Sequence, residues 1–390
     1  MIPLSAYGRP HSVSKRVVGK IVSSSGEAWP HKIRMVKTWD EARGSSGFDA
    51  ILCEEAITPS EIERACTPVV HGLRLDHLSE GDAVSIDERG HVRTLYRRGS
   101  RYNALFATDR CNSLCLMCSQ PPRDVHDDWR VQEMVDTIAL IDPTAPELGI
   151  SGGEPTLLKD GFLRVVAECR EKLPNTSLHV LSNGRLFRYG SFARQVAAIQ
   201  HHDLMIGIPL YSDLADRHDH VVQAKGAFDE TLLGLHNLGR YSVPVEIRVV
   251  VHRFTYERLP QLAEFIYRNL TFASHVTFMG LEMMGYAIPN LESLWIDPWM
   301  YRHQLEAATL FLAERGMHVS VYNHQLCTVP ESIWSFSRRS ISDWKNEYLP
   351  QCSECQVREQ CGGFFSSAVA RKVSDFVRPL SLREGANESA

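Results

Sequence analysis

The chain has 390 residues, with 42 Lys+Arg against 47 Asp+Glu for a formal charge of −5, and is 44% hydrophobic and 23% charged. It is long enough for two or three domains, or for one large α/β barrel with an appendage, and too apolar for bulk disorder. The charge balance denies it the footprint of a dedicated nucleic-acid binder. No apolar run reaches the roughly 18–20 residues that span a bilayer, and Met1–Lys20 lacks the apolar core of a signal peptide. A cytoplasmic protein without a membrane partner is expected.

Residues 1–100 read as a β-rich N-terminal domain. Val17–Val22 is a short apolar run, followed by loops at Ser23–Gly26 and Arg43–Gly47. Gly81–Ile86, Asp87–Gly90 and His91–Tyr96 read as strand, turn and strand. From Tyr102 onward short apolar strands alternate with amphipathic helices. The expected strands are Tyr102–Thr108, Glu147–Ser151, Ser177–Leu181, Asp203–Leu210, Val245–Val251 and His275–Leu281. The helices between them carry apolar stripes of period 3.6, such as Val131, Val135, Ile138 and Ile141, or Phe228, Leu232, Leu235 and Leu238. Six β-then-α units over residues 101–316 predict a parallel sheet with right-handed crossovers, a partial (β/α)6 TIM-like barrel short of the eight units of a closed one. Residues 317–380 form a small Cys-rich C-terminal extension, and the polar tail 381–390 is expected to be disordered.

The ten cysteines are unevenly placed. Cys53, Cys66 and Cys169 stand alone and read as small buried hydrophobes. The others fall into two groups, which in a reducing compartment points to metal ligands. Cys111-Asn112-Ser113-Leu114-Cys115-Leu116-Met117-Cys118 spaces three thiols as C-x3-C-x2-C directly after the first barrel strand, where β/α barrels carry their active sites. Three thiolates hold three irons of a [4Fe–4S] cluster and leave one iron open. A structural zinc wants four ligands in two separated pairs and fits this loop poorly. Ser151-Gly152-Gly153-Glu154-Pro155 follows the second strand, and its glycines allow close backbone approach to a ligand. Ser182-Asn183-Gly184 closes the third.

The three-cysteine loop and the Gly-Gly-Glu-Pro turn, one strand apart, resemble the radical S-adenosylmethionine (SAM) superfamily. The resemblance implies a [4Fe–4S] cluster on Cys111, Cys115 and Cys118, with SAM chelating the open iron and an external flavodoxin- or ferredoxin-type donor reducing the cluster. The sulfonium bond then breaks, and a 5′-deoxyadenosyl radical takes a hydrogen from the substrate. Met117 stands where relatives usually have an aromatic residue. Gly152, Gly153 and Glu154 would present the SAM amino group with acceptors, Ser182 and Asn183 would meet its ribose or carboxylate, and Leu281 its adenine through backbone. Arg248, inside the fifth strand, either meets the SAM carboxylate or pairs with Glu246 or Glu282. Pro209 occupies a position where many relatives have serine. The residues acting on the substrate are left unassigned; Tyr211, Tyr286 and Asp213 lie near strand ends, and Asp213 alternatively caps a helix. His201, His202, His218 and His220 read as solvent-facing or capping side chains before metal ligands. Arg97, Arg98 and Arg101 form a basic patch that suits an acidic peptide or reductant, or is simply a solvated face.

Cys327, Cys352, Cys355 and Cys361 follow C-x24-C-x2-C-x5-C, enough to saturate one metal centre. The pattern resembles the auxiliary-cluster (SPASM/twitch-like) segments of peptide-modifying relatives and implies a second [4Fe–4S] cluster, with a tetrathiolate zinc as the alternative. Ser340–Lys345, Cys361-Gly362-Gly363-Phe364-Phe365 and Cys118-Ser119-Gln120-Pro121-Pro122 look like the HxsC-like branch of His-Xaa-Ser system maturases. That branch implies a peptide or protein substrate with His-Xaa-Ser repeats and a second radical SAM maturase as companion. The alternatives are a radical SAM enzyme acting on a nucleotide, RNA or small molecule, and a non-catalytic, metal-stapled binding protein.

Overall fold

The computed structural model describes residues 4–24, 29–42, 45–63, 65–339 and 347–381. The expected block Ser340–Lys345, parts of the loops at Ser23–Gly26 and Arg43–Gly47, and nearly all of the tail lie outside these residues.

The N-terminal sheet is built from β1 (Ser5–Tyr7), β2 (Arg9–His11), β3 (Val17–Ile21), β4 (Lys32–Val36), β5 (Ala50–Cys53), β6 (Val69–His71), β7 (Ala83–Ile86) and β8 (His91–Tyr96), in the order β1-β8-β7-β3-β4-β5-β6-β2. The β7–β8 hairpin is the expected strand–turn–strand. The run β3-β4-β5-β6 is parallel, a pairing the alternation of this region does not announce. β1 and β2 flank Gly8 as halves of one segment, yet pair with β8 at one margin and β6 at the other. The sheet is thereby closed on itself. Gly8 allows this: a Cβ there would lie 2.7 Å from Val70 and 2.8 Å from the carbonyl of His71.

The second sheet is parallel throughout: β9 (Ala104–Phe106), β10 (Glu147–Ser151), β11 (Ser177–Leu181), β12 (Leu204–Pro209), β13 (Val245–Val251), β14 (His275–Gly280), β15 (Val319–Tyr322) and β16 (Ser337–Arg338), paired in chain order. The first six are the expected barrel strands. β15 and β16 are an addition: the segment read as only a Cys-rich extension first continues the sheet. β9 and β16 do not pair, so the barrel is partial. One face of each strand supplies the main core, with Ile150, Val180, Ile206, Ile247 and Phe278 each fully buried. Cys53 and Cys169 are buried as expected, whereas Cys66 is exposed. No helix among the described residues is long and apolar enough to cross a membrane.

The opposite faces of the barrel strands meet in an ionic knot. Glu246 on β13 lies 2.8 Å from Arg248 Nη1 and 2.9 Å from His179 Nε2, with His275 Nδ1 3.9 Å away. His275 Nε2 is 3.0 Å from Ser320 Oγ on β15. Of the alternatives read for Arg248, the structure forms the pair with Glu246. Burial alone would raise the Glu246 carboxyl, but Arg248 and His179 hold it far below the usual carboxylate range. Glu246→Gln keeps an acceptor and removes the charge. We expect it to cost about 2 kcal/mol, the worth of a charged hydrogen bond, read as a lower urea midpoint at unchanged m-value.

Buried histidines set the acid limit of the fold. His324 donates from Nδ1 to the Tyr322 carbonyl (2.8 Å) and accepts the Tyr301 hydroxyl at Nε2 (2.9 Å), so the ring is neutral. Burial lowers His324 to about 4 and His275 likewise to about 4. In the unfolded chain these rings protonate near pH 6.5. Below that pH the unfolded state binds protons the folded state does not, so stability falls as pH drops from about 6.5 toward 4, and these rings add no further change above about 7. Melting temperature followed by circular dichroism across that range checks this.

Candidate active site

The loop Cys111–Cys118 leaves β9 at its C-terminal end and is held from four sides. In front of it, the buried Asp127 carboxylate accepts from Thr108 Oγ1 (2.9 Å), the Asp109 amide (2.6 Å) and Arg110 Nε (3.1 Å). On the second side, Arg185 Nη1 donates to the Asn112 carbonyl and to Ser113 Oγ (3.1 Å), while its Nε meets Glu230 at 2.6 Å. On the third, the Leu114 and Leu116 amides donate to the carbonyls of Val222 and Val221, both at 3.0 Å. On the fourth, the Tyr286 amide donates to the Cys118 carbonyl (2.8 Å) and Asn290 Nδ2 to the Leu116 carbonyl (2.9 Å).

The Gly-Gly-Glu-Pro turn packs directly on this loop. A Cβ on Gly153 would sit 2.2 Å from the Arg110 carbonyl. Gly152 has φ of +145°, and a Cβ there would stand 2.7 Å from the Thr108 carbonyl. No other residue fits either place. The Glu154 side chain has a structural task of its own, apart from any acceptor its backbone offers. It is fully buried and turned inward: Oε1 accepts from the Thr156 amide (3.0 Å), Thr156 Oγ1 (2.5 Å) and Ser182 Oγ (2.8 Å), and Oε2 accepts from the Asn183 amide (2.6 Å). It ties the turn after β10 to the turn after β11. Ser182 is taken up in this tie, while Asn183 Nδ2 reaches Asn112 Oδ1 (2.6 Å) and approaches Cys111 Sγ (3.9 Å). Met117 is buried beside Tyr211, and Leu281 packs against the same cluster. Asp213 caps no helix but pairs with Arg258, Nε at 2.8 Å. His218 is buried, with Nδ1 3.3 Å from the Tyr211 amide.

Burial pushes the Cys111 thiol up to about 11, with Glu154 and then Cys118 adding to it, and the Cys115 thiol up to about 12, with Cys111 and Cys118 adding. Cys118 is raised by burial as well. Three thiols on one loop, with Asn183 Nδ2 3.9 Å from Cys111 Sγ, are soft donors that ionise when a cationic centre replaces the proton, and such a donor set fits a metal–sulfide cluster. Among the described residues no three His, Cys, Asp or Glu side chains close around a single-ion position. A polynuclear cluster sets its ligands further apart than one tetrahedral ion with bonds of about 2.3 Å.

The four C-terminal cysteines line one common cavity, together with Tyr348 and Phe364. Backbone amides point at their sulfurs: Gly363 to Cys361 at 3.5 Å and Leu380 to Cys355 at 3.4 Å. Burial raises Cys327, and Cys361 and Cys352 stand close enough to raise it further.

Compared with known proteins, residues 105–266 match the family described as the Radical SAM superfamily. The chain is 28% identical over 163 residues to the Fe-coproporphyrin III synthase of Methanosarcina barkeri (strain Fusaro / DSM 804), covering 41% of this chain and 39% of that protein. It is 26% identical over 201 residues to the GTP 3′,8-cyclase of Petrotoga mobilis (strain DSM 10674 / SJ95), covering 49% of this chain and 58% of that one. The chain therefore spans about 39% and 58% of the length of these relatives. Among solved structures, native anSMEcpe with bound AdoMet and Cp18Cys peptide superposes with a TM-score of 0.50 over 70% of this chain and 91% of that one, at 14% identity, a likeness of fold.

The motif cysteines and glycines of the radical SAM region are visible in the sequence. Arg185, Asp127 and Asn290, which shape the loop, are not: they bond to backbone groups far away in sequence, and no local pattern marks them.

Proposed function

We propose that the protein is a radical SAM enzyme that cleaves S-adenosylmethionine reductively and acts on a ribosomally made peptide or protein. The observation that carries this reading is the loop of three half-buried thiols at the C-terminal end of β9, inside a region matching the superfamily. Cys111, Cys115 and Cys118 would hold a [4Fe–4S] cluster through three irons. When bound, the cluster and SAM supply one-electron cleavage of the sulfonium and the hydrogen abstraction that follows. The chain's own part is to bind and orient. Gly152 and Gly153 bring backbone up to the cysteine loop, Asn183 reaches its first cysteine, and Met117 and Leu281 supply apolar contact. Residues 1–100 and 317–380 are the available covers that exclude solvent from the barrel mouth. The test is anaerobic reconstitution with iron and sulfide, reduction with dithionite, and mass-spectrometric detection of 5′-deoxyadenosine. Its absence overturns the reading and favours a metal-stapled binding protein.

The C-terminal cysteines are proposed to hold an auxiliary [4Fe–4S] cluster, supported by their shared cavity and the amides directed at their sulfurs. Zinc in place of iron after mutation of the first loop would reject it. The peptide reading, including the HxsC-like branch with a His-Xaa-Ser precursor and a companion maturase, rests on the sequence blocks around both cysteine groups. Mass spectrometry of a co-expressed precursor tests it. The two curated relatives, a GTP cyclase and a porphyrin-forming enzyme by name, favour a second reading, a nucleotide or small-molecule substrate. An unmodified precursor in cells where the enzyme is active would select it.

A further inference from the structure

A cavity of about 60 Å³ lies at the C-terminal rim of β13, β14 and β15, roofed by residues 362–374 of the C-terminal segment. It is less than half the size of a cavity that holds benzene, about 150 Å³, so it suits an arm of a few heavy atoms rather than a ring. It sits between the two cysteine groups. On one side Gly362 and Gly363 directly follow Cys361; on the other, Met283 precedes the Gly285–Tyr286 turn that holds the Cys118 carbonyl.

The walls mix apolar and aromatic side chains, Met283, Trp295, Tyr301 and Phe365 prominent, with the polar Asn323, Gln325 and Ser374. The Tyr301 hydroxyl is committed to His324, and Gln325 Nε2 to the Gly363 carbonyl at 2.9 Å. Among the described residues Lys372 is the one charged member of the lining. Its Nζ stands 4.7 Å from the centre of the Trp295 ring. A cation over an aromatic face, at the mouth of an otherwise uncharged hollow, attracts an anion whose stem is apolar.

We propose that this cavity receives a carboxylate carried on a short apolar stem of the substrate, with Lys372 as its counter-ion and Trp295 as its platform. The inference rests on the peptide reading above and adds to it a substrate class: a peptide presenting a glutamate or aspartate side chain, or its C-terminal carboxylate, to the barrel rim. Anchored there, the chain would lie between the two cysteine groups.

The experiment is a ligand-observed NMR titration of the reconstituted full-length protein with three probes: N-acetyl-glutamate N-methylamide, the matching glutamine compound, and N-acetylglycine. The expected result is binding of the glutamate probe at least about threefold tighter than the glutamine probe, in line with a partly exposed ion pair. Lys372→Met should erase the preference and Lys372→Arg should keep it. Tighter binding of N-acetylglycine than of the glutamate probe would assign the site to a chain terminus. Equal binding of acid and amide by the natural protein, no binding of any probe, or a preference that survives Lys372→Met overturns the proposal. Formation of 5′-deoxyadenosine without peptide should be the same in Lys372→Met as in the natural protein. Its failure in both would sink the enzymatic reading while leaving the carboxylate preference to stand or fall by itself.

Discussion

Replacing Cys111, Cys115 and Cys118 together by alanine is expected to bring 5′-deoxyadenosine formation down to the level of a protein-free control and to remove about four irons per chain. The fold should survive. The loop is held by Asp127, Arg185, Val221–Val222 and Asn290 through contacts that do not involve the thiols. Circular dichroism should therefore show unchanged secondary structure while the iron content drops. About four irons should remain if Cys327, Cys352, Cys355 and Cys361 carry their own cluster. Residual 5′-deoxyadenosine from the triple variant would mean that the chemistry is seated elsewhere in the chain.

The second large effect is expected at a residue with no chemical part in the reaction. Glu154→Ala removes four acceptor contacts at once, leaving the Thr156 and Asn183 amides and the Thr156 hydroxyl without this acceptor and the Ser182 hydroxyl with only the Gly184 amide. We expect a loss of about 3–5 kcal/mol, the range for breaking a buried, hydrogen-bonded charge, measured as a shift of the urea midpoint. Burial pushes this carboxyl up while Thr156, Asn183 and Ser182 pull it back. Because the tie joins the turns after β10 and β11, the variant should also lose iron on reconstitution, through Asn183 and its contact to Asn112 beside Cys111. Full iron loading in a destabilised Glu154→Ala protein would separate the tie from the cysteine loop.

Some of this architecture is legible in the sequence, and the rest is hidden for identifiable reasons. Strands with one face in the core announce themselves by apolar residues at alternate positions, and the bounds of β10, β11 and β13 coincide with the expected ones. β15 and β16 are four and two residues long and stand among cysteines, so no run marks them. The cysteine spacing and the glycine turn can be read because their chemistry is local. The side-chain tie made by Glu154 is not legible, because its partners include Ser182 and Asn183, 28 and 29 residues further on, beyond the reach of any local motif. Arg248 is legible only as a choice, since its lumen partner Glu246 and the cofactor are equally fitting neighbours for a cation inside a strand.

The segment around Gly8 carries a consequence for how the protein is made. Its two halves find their partners at Val69–His71 and His91–Arg93, so during synthesis Ser5–His11 must wait until Arg93 has been added. Until then the growing N-terminal sheet has two raw margins open to strange strands. A bulky group fused close to Ser5 would hinder this last clasp, and would be expected to show itself as aggregation of nascent protein rather than as a fault in the finished protein.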